Sequence, residues 1–320
     1  MTHFHFTIGP VQAFVSQARR TRDFWAGSFM LSYLTAHGMK AVKKQKGKII
    51  MPEVSVDTML KRVCQSSGSG PTIGTLPNCF EAAISEGFDG KKVAKAVQDE
   101  WKRIAEAVWK HDHLQDADVD KDLWDGQIEH FWEIAWVMAD PKETSALSMR
   151  KNWRNHYPPE QAGDKCTMMG EWQELSGEPK PNSRVQKIFW DGVGDSMGGS
   201  QLELRDGERL CAISYVKRRF VHVWGDLNSG WELPTSVPST SYMAAVHWIK
   251  RLIAADPDRE AIKDLCAQAK NAKALSEKLT RIACISKVLA SYPDIPSDIA
   301  DIDGPLFFEN ELRQMDESKN

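Results

Sequence analysis

The 320-residue chain has no short motif that names a reaction by itself. There is no GxxxxGKS/T to cradle a triphosphate, no GxGxxG, no GxSxG nucleophile elbow and no HExxH zinc helix. No CxxC pair occurs, and the six cysteines, at 64, 79, 166, 211, 266 and 284, are too scattered for a disulfide framework. Reduced thiols in a reducing compartment are the expectation. No apolar run approaches the roughly 18 residues of a membrane-spanning helix. Thr2, His3 and His5 stand where a signal peptide would need a basic and then an apolar segment. A cytoplasmic protein with no membrane partner is expected. Excess charge of either sign is also lacking: 41 basic residues against 44 acidic ones leave a net charge of -3. Nucleic-acid contact therefore requires a local basic patch.

What is present begins with alternation. Phe4, Phe6 and Ile8 interleave with His3, His5 and Thr7, the period of two of a strand with one buried face. Gly9-Pro10 ends it, and Val11, Phe14, Val15 and Ala18 follow helical spacing, with a second helical segment over 24–42. Residues 49–51 make a short strand stopped by Pro52. The SSGSGP-containing stretch 55–77 is expected to be a flexible loop. Phe80, Ala82 and Ile84 mark a strand, and Val93, Val97, Trp101, Ile104 and Val108 an amphipathic helix. After a polar acidic stretch over 116–125, the apolar run 131–138 is expected to be a strand covered on both faces.

That order predicts an α+β chain: a ferredoxin-like, palm-like βαββαβ domain over 1–145, then an irregular, mostly helical second domain over 146–320. Glycines and prolines over 150–210 argue against long helices there, and DGVGDSMGGS, 191–200, is expected to be a loop. A helix with a basic far end at Lys217, Arg218 and Arg219 is expected before VHVW. Pro238-Ser239 opens a helix presenting Tyr242, Val246, Ile249 and Ile253, and two more helices are expected over 259–272 and 275–290.

Each candidate for chemistry has a structural alternative beside it. Arg19, Arg20 and Arg22 could present guanidinium forks to a phosphate, with Gly27 and Ser28 as a small-residue surface. Equally, Asp23 could pair with an arginine while Gly27 and Ser28 permit close helix packing. His3 and His5 could contact a base or ribose, or lie on a solvated strand face. His111-Asp112 is an HD dipeptide without the further ligands that a metal phosphohydrolase needs. Cys166 and Cys211 could each be half of a zinc knuckle, but Met169 and Ser214 occupy the partner positions, so zinc is not expected. Trp153, Trp172, Trp190, Trp224 and Trp231 could stack on bases, yet core packing is the simpler role.

The run IGPVQAFVSQARRTRDFWAGSFMLSYL, 8–34, closely resembles the start of the first palm-like domain in the large subunit of type III-B CRISPR effector complexes, a polymerase/cyclase-like family of Cmr type. Matching stretches follow in order: IIMP (49–52), LPNCFEAAI (76–84), WKRIAEAVW (101–109), IEHFWEIAWV (128–137), RKNWRNHYPP (150–159), KCTMMGEWQELSG (165–177), GERLCAISYVKRRF (207–220), VPSTSYMAAVHWI (237–249) and DGPLFFEN (303–310). The resemblance implies a first palm that faces a second, GGDD-bearing palm across an ATP pocket used with magnesium for cyclic oligoadenylate synthesis. It makes His5, Gln12, Arg19, Arg20, Arg22, Gly27 and Ser28 candidate nucleotide contacts. No GGDD occurs in this sequence, so the resemblance implies no catalytic residue here and a chain inactive alone. Implied partners are the other type III-B effector subunits, the GGDD palm and, through the complex, CRISPR RNA and target RNA. The alternative is a stand-alone regulatory or decoy protein derived from that subunit.

Overall fold

The computed structural model describes residues 2–152, 156–197 and 203–308, so Trp153, Gly198, Gly199 and residues 309–310 of the last matching stretch lie outside the described residues. The chain divides into two compact units, one running to Leu233 without Arg20–Arg22, the other comprising those three residues and the chain from Pro234.

The first unit opens with strand β1 (Thr2–Gly9), the short helix α1 (Val11–Val15), and helix α2 (Thr21–Lys44). Strand β2 (Lys48–Met51), helix α3 (Thr58–Gln65), strand β3 (Cys79–Ile84), helices α4 (Gly90–His111) and α5 (Lys121–His130), and strand β4 (Glu133–Ala139) follow. The sheet order is β2-β3-β1-β4, antiparallel throughout. This is the ferredoxin-like arrangement that the alternation predicts. Register fixes the two faces: Phe6 lies opposite Phe80 and Trp136, whereas His5 lies opposite Glu81 and Val137. The Phe4, Phe6 and Ile8 face is fully buried. Gly38 of α2 approaches Phe80 on that face, and Gly90 of α4 approaches Phe4 and Trp136. Helix α6 (Ala146–Asn152) packs against β1 and β4.

Helix α7 (Ser183–Ser196) and helix α8 (Ala212–Leu227) complete the unit. α8 packs on α4 and α5 and buries residues all round its circumference, from Ile213 and Tyr215 to Phe220 and Trp224. A helix covered on every side is a core element. The second unit has its own core of Tyr242, Ile249, Ile262, Cys266, Leu279, Ile299 and Ile302, built from α9 (Thr240–Ala255), α10 (Glu260–Asn271), α11 (Ala283–Ala290) and single 3-10 turns. Ser239 caps α9 by accepting from the Tyr242 N–H at 3.1 Å.

Several local expectations are corrected. The expected loop 55–77 contains α3, because Asp57 caps it at 2.7 Å from the Leu60 N–H and Met59, Leu60 and Val63 are buried. The following chain is pinned too: Arg62 donates to Gly68 O at 2.5 Å and Ser229 O at 3.0 Å, and lies over the Trp231 ring. Part of the acidic stretch forms α5, capped by Asp120. Gly192 and Gly194 fall inside α7, where Gln186, Trp190 and Val193 form the buried stripe. β4 is an edge strand and leaves Met138 37% exposed, so it is not covered on both faces. Ala245, rather than Val246, completes the buried face of α9. Residues 275–278 precede a 3-10 turn, and the last helix begins at Ala283.

Candidate functional site

The basic run lies in the middle of α8 rather than at its far end. Lys217, Arg218 and Arg219 are all buried. Successive helical residues point about 100° apart, so each reaches a different neighbour. Lys217 donates to Phe14 O and to Gln17 O at 2.9 Å. Arg218 takes Asp23 in a two-bond fork, 3.0 and 2.8 Å, and donates to Glu208 at 2.7 Å. Arg219 takes Asp112 in a second fork, both bonds 2.7 Å, and Tyr215 adds its hydroxyl at 2.9 Å. Burial would raise the Asp23 and Asp112 carboxyls, but the guanidinium bonds and charges hold both below the usual range. The aspartate of the HD dipeptide is thus the anchor of a buried ion pair. Lys217 carries the opposite perturbation: burial brings its ammonium down to about 8 despite nearby Asp23.

The four degenerate knuckle positions converge. Cys166 Sγ lies 3.2 Å and Cys211 Sγ 3.3 Å from the Ser214 hydroxyl. Met168 N–H and Met169 N–H point at Cys166 Sγ from 3.4 and 3.3 Å, the turn that presents a sulfur to a ligand. Burial raises Cys211; at Cys166 burial also works upward, but hydrogen bonds from Cys211, Ser214 and the Met169 N–H favour ionised sulfur and lower it. Structural zinc takes four thiolate, imidazole or carboxylate donors. Two thiols, a hydroxyl and a buried methionine do not fit it, and hydrogen bonds close the cluster instead. Among the described residues no group of three or more His, Cys, Asp or Glu is arranged to hold a metal ion.

The candidate nucleotide contacts are distributed over different surroundings. His5 lies on the sheet face away from Phe6, its Nδ1 4.0 Å from Glu81, which also contacts His3. His5 Nε2 is buried with no hydrogen-bond partner. Gln12 is exposed on α1. Arg19 is half exposed, 3.8 Å from Glu208, and its N–H donates to Asp23 at 3.2 Å. Arg20 and Arg22 belong to the second unit, and both are engaged, Arg22 with Thr235 O at 3.4 Å. Gly27 is buried: a Cβ there would lie 3.0 Å from Phe14 O and 3.1 Å from Lys217 Cε, so its role is to admit Lys217. Ser28 is exposed on α2, close to Gly74. No contact joins His5 to Gln12, Arg19, Gly27 or Ser28 among the described residues.

Sequence reasoning missed two features. The partners of the α8 cations are about 100–200 residues away, and no local signal marks them. A cleft of about 560 Å³ opens beside α7, lined in part by Gln186, Trp190, Arg205 and Arg209, and Arg209 there is already held by Asp164 and Gln186. Trp172, Trp190, Trp224 and Trp231 are core residues.

Residues 3–106 match a known family model, CRISPR-associated protein Cmr2, N-terminal. Over those residues the chain is therefore similar to that family. The Cmr2 match runs from β1 into α4, taking in three of the four strands of the sheet and its two long helices. Among solved structures the chain is similar to one from the type III-B Cmr-beta complex in its apo state, with a TM-score of 0.62, 14% identity and 99% of this chain covered. It is equally similar, TM-score 0.62 at 16% identity over the whole chain, to one from the type III-B Cmr-beta complex bound to cognate target RNA. The chain spans 42% and 43% of the lengths of those chains. No curated protein sequence matches it. Among the described residues no helix is long and apolar enough to cross a membrane.

Proposed function

We propose that this chain is a Cmr2-type component of a type III-B CRISPR effector complex, acting in the cytoplasm with the other effector subunits and with CRISPR and target RNA bound through them. The observation that carries this reading is the coincidence of the Cmr2 match over 3–106 with a ferredoxin-like sheet of order β2-β3-β1-β4. In that reading residues 1–145 act as the first palm and 146–320 as the mostly helical second domain.

Within that reading the palm contributes one wall of an ATP pocket. His5 supports it, since a buried imidazole nitrogen without a partner is a polar group that a ligand can satisfy. Exposed Arg19 can meet a phosphate. Gly27 is filled by its own neighbours and serves packing. ATP would supply both the nucleotide and its own leaving group, and magnesium, for which the described residues bring together no carboxylate cluster, would come with the GGDD palm. The chain's own residues bind and orient; none moves a proton.

The test is ATP affinity, by calorimetry, of the chain reconstituted with a GGDD-bearing palm. His5→Ala and Arg19→Ala should each weaken binding about tenfold, the loss of one hydrogen bond to a charged group. Unchanged affinity in both removes the pocket from this palm. Cyclic oligoadenylate made by the chain alone with ATP and magnesium would overturn the partition of roles.

A further inference from the structure

The end of α2, the turn after it and the start of β2 carry Lys43, Lys44, Lys46 and Lys48, all exposed. Gln45, in the middle of that run, reaches the start of α4: its side chain donates to Asp89 O at 3.2 Å and accepts from the Asp89 N–H at 3.0 Å. This reciprocal pair brings Lys91 and Lys92, also exposed, beside the turn. Among the described residues none of these six ammonium groups makes an ion pair. The neighbouring carboxylates are Glu53, which accepts from the Ser55 N–H at 2.8 Å, Asp89, which caps α4 at the Lys91 N–H, and exposed Glu86. On a chain of net charge -3, six unpaired cations in one place are a segregated patch.

Two structural uses of lysine fail to account for it. Cations near a helix end can compensate unpaired carbonyls, but the turn does this with its own backbone: the Gln45 and Gly47 N–H groups donate to Val42 O and the Lys46 N–H to Lys43 O, all at 2.9–3.0 Å. Lysine on an edge strand blocks unwanted pairing, which explains Lys48 alone. Lys46, moreover, sits in left-handed backbone, φ 64°, where glycine or asparagine is the easier residue. Gly47 locks the turn, since a Cβ there would lie 2.5 Å from Val42 Cγ1. The backbone that carries the patch is held in a fixed shape.

We propose that this patch binds the phosphodiester backbone of a nucleic-acid strand. Lysine is depleted from the cores of protein interfaces, where tryptophan, tyrosine and arginine dominate. The patch has neither an aromatic residue nor an arginine fork, and six point charges suit the evenly spaced phosphates of a polynucleotide. Binding is indifferent to sequence, because no side chain of the patch offers the paired donors and acceptors that read a base. This site is separate from the nucleotide reading of His5 and stands if that reading fails.

Fluorescence anisotropy with the full chain, a labelled 20-nucleotide single strand of RNA and the same sequence as DNA tests it over a salt series. Lys44→Gln/Lys46→Gln/Lys48→Gln/Lys92→Gln should weaken binding at least tenfold at 0.1 M salt. It should also flatten the slope of log affinity against log salt by about 3, four contacts at about 0.7 each for a single strand. Lys95→Gln/Lys102→Gln/Lys110→Gln/Lys121→Gln removes the same charge from lysines already paired with carboxylates, and should change the slope by less than one. Loss for RNA alone names RNA as the source; equal loss for both strands keeps the shared backbone chemistry. Equal effects of the two variants, or no change in the first while its thermal transition is intact, overturn the proposal. Tighter binding of a poly-glutamate peptide than of either strand overturns it in favour of an acidic protein surface.

Discussion

Arg218 and Asp23, 195 residues apart in the chain, are joined by a two-bond fork where neither side chain has any exposed surface. Removing one partner leaves a buried charge that Glu208 or Lys217 must meet alone. Asp23→Ala should therefore cost about 3–5 kcal/mol in a urea titration. The double variant Asp23→Ala/Arg218→Met should cost less than the sum of the two single changes, because the stranded charge leaves with its partner.

Acid should unfold the protein in two stages. Burial lowers His37 to about 4 from the ordinary 6.5, with Glu100 only partly opposing it. Between those values the unfolded chain binds a proton that the folded chain refuses, so stability falls as pH drops from about 6.5 to 4. Asp23 and Asp112 lie below their ordinary 3.8. Their contribution is full above that value and is lost as pH falls through the lower folded values. Replacing His37 by Leu should flatten the first stage in a melting-temperature series and leave the second.

The alkaline side has the opposite slope. Lys217, near 8 when folded and 10.5 as the ordinary value, is disfavoured as a cation in the core. From about pH 8 to 10.5 the unfolded chain holds a proton that the folded one releases, so this residue makes stability rise with pH. Lys217→Met should remove that rise relative to the unaltered protein. At pH 9.5 it should also cost about 1–3 kcal/mol, since Phe14 O and Gln17 O lose their donor.

Met169→Cys/Ser214→Cys should convert the hydrogen-bonded cluster into a four-thiol site. One zinc per chain by elemental analysis, and a melting temperature that a chelator lowers, is the expected result; neither single change should retain the metal at that ratio.

The legible parts of the fold were those whose cause is local. Phe4, Phe6 and Ile8 announce β1 by their alternation, and Val93 through Val108 announce α4 by their spacing, so the strand order followed. The i, i+3 spacing of Cys166 with Met169 and of Cys211 with Ser214 suggested two knuckle halves, but not the hydrogen bonds through Ser214 that join them. α3 escaped because its eight residues sit beside a Ser/Gly stretch and are held by Arg62 reaching Ser229. α7 escaped because it contains two glycines that would weaken an isolated helix, neither of them in its buried stripe. Lys217, Arg218 and Arg219 read only as the basic far end of a helix, since nothing in their neighbourhood of sequence reveals Phe14, Asp23 or Asp112.

Those three cations also act as a key in a lock. A turn of α8 about its axis, or a slip by one residue along it, would break the contacts to Phe14, Asp23 and Asp112 at the same moment. No low-energy intermediate setting exists, because each displaced charge would be buried without a partner. The Cys211 end of the helix and the end carrying Trp224 are consequently forced to travel together, and the first unit has no internal gear on which α8 could slide.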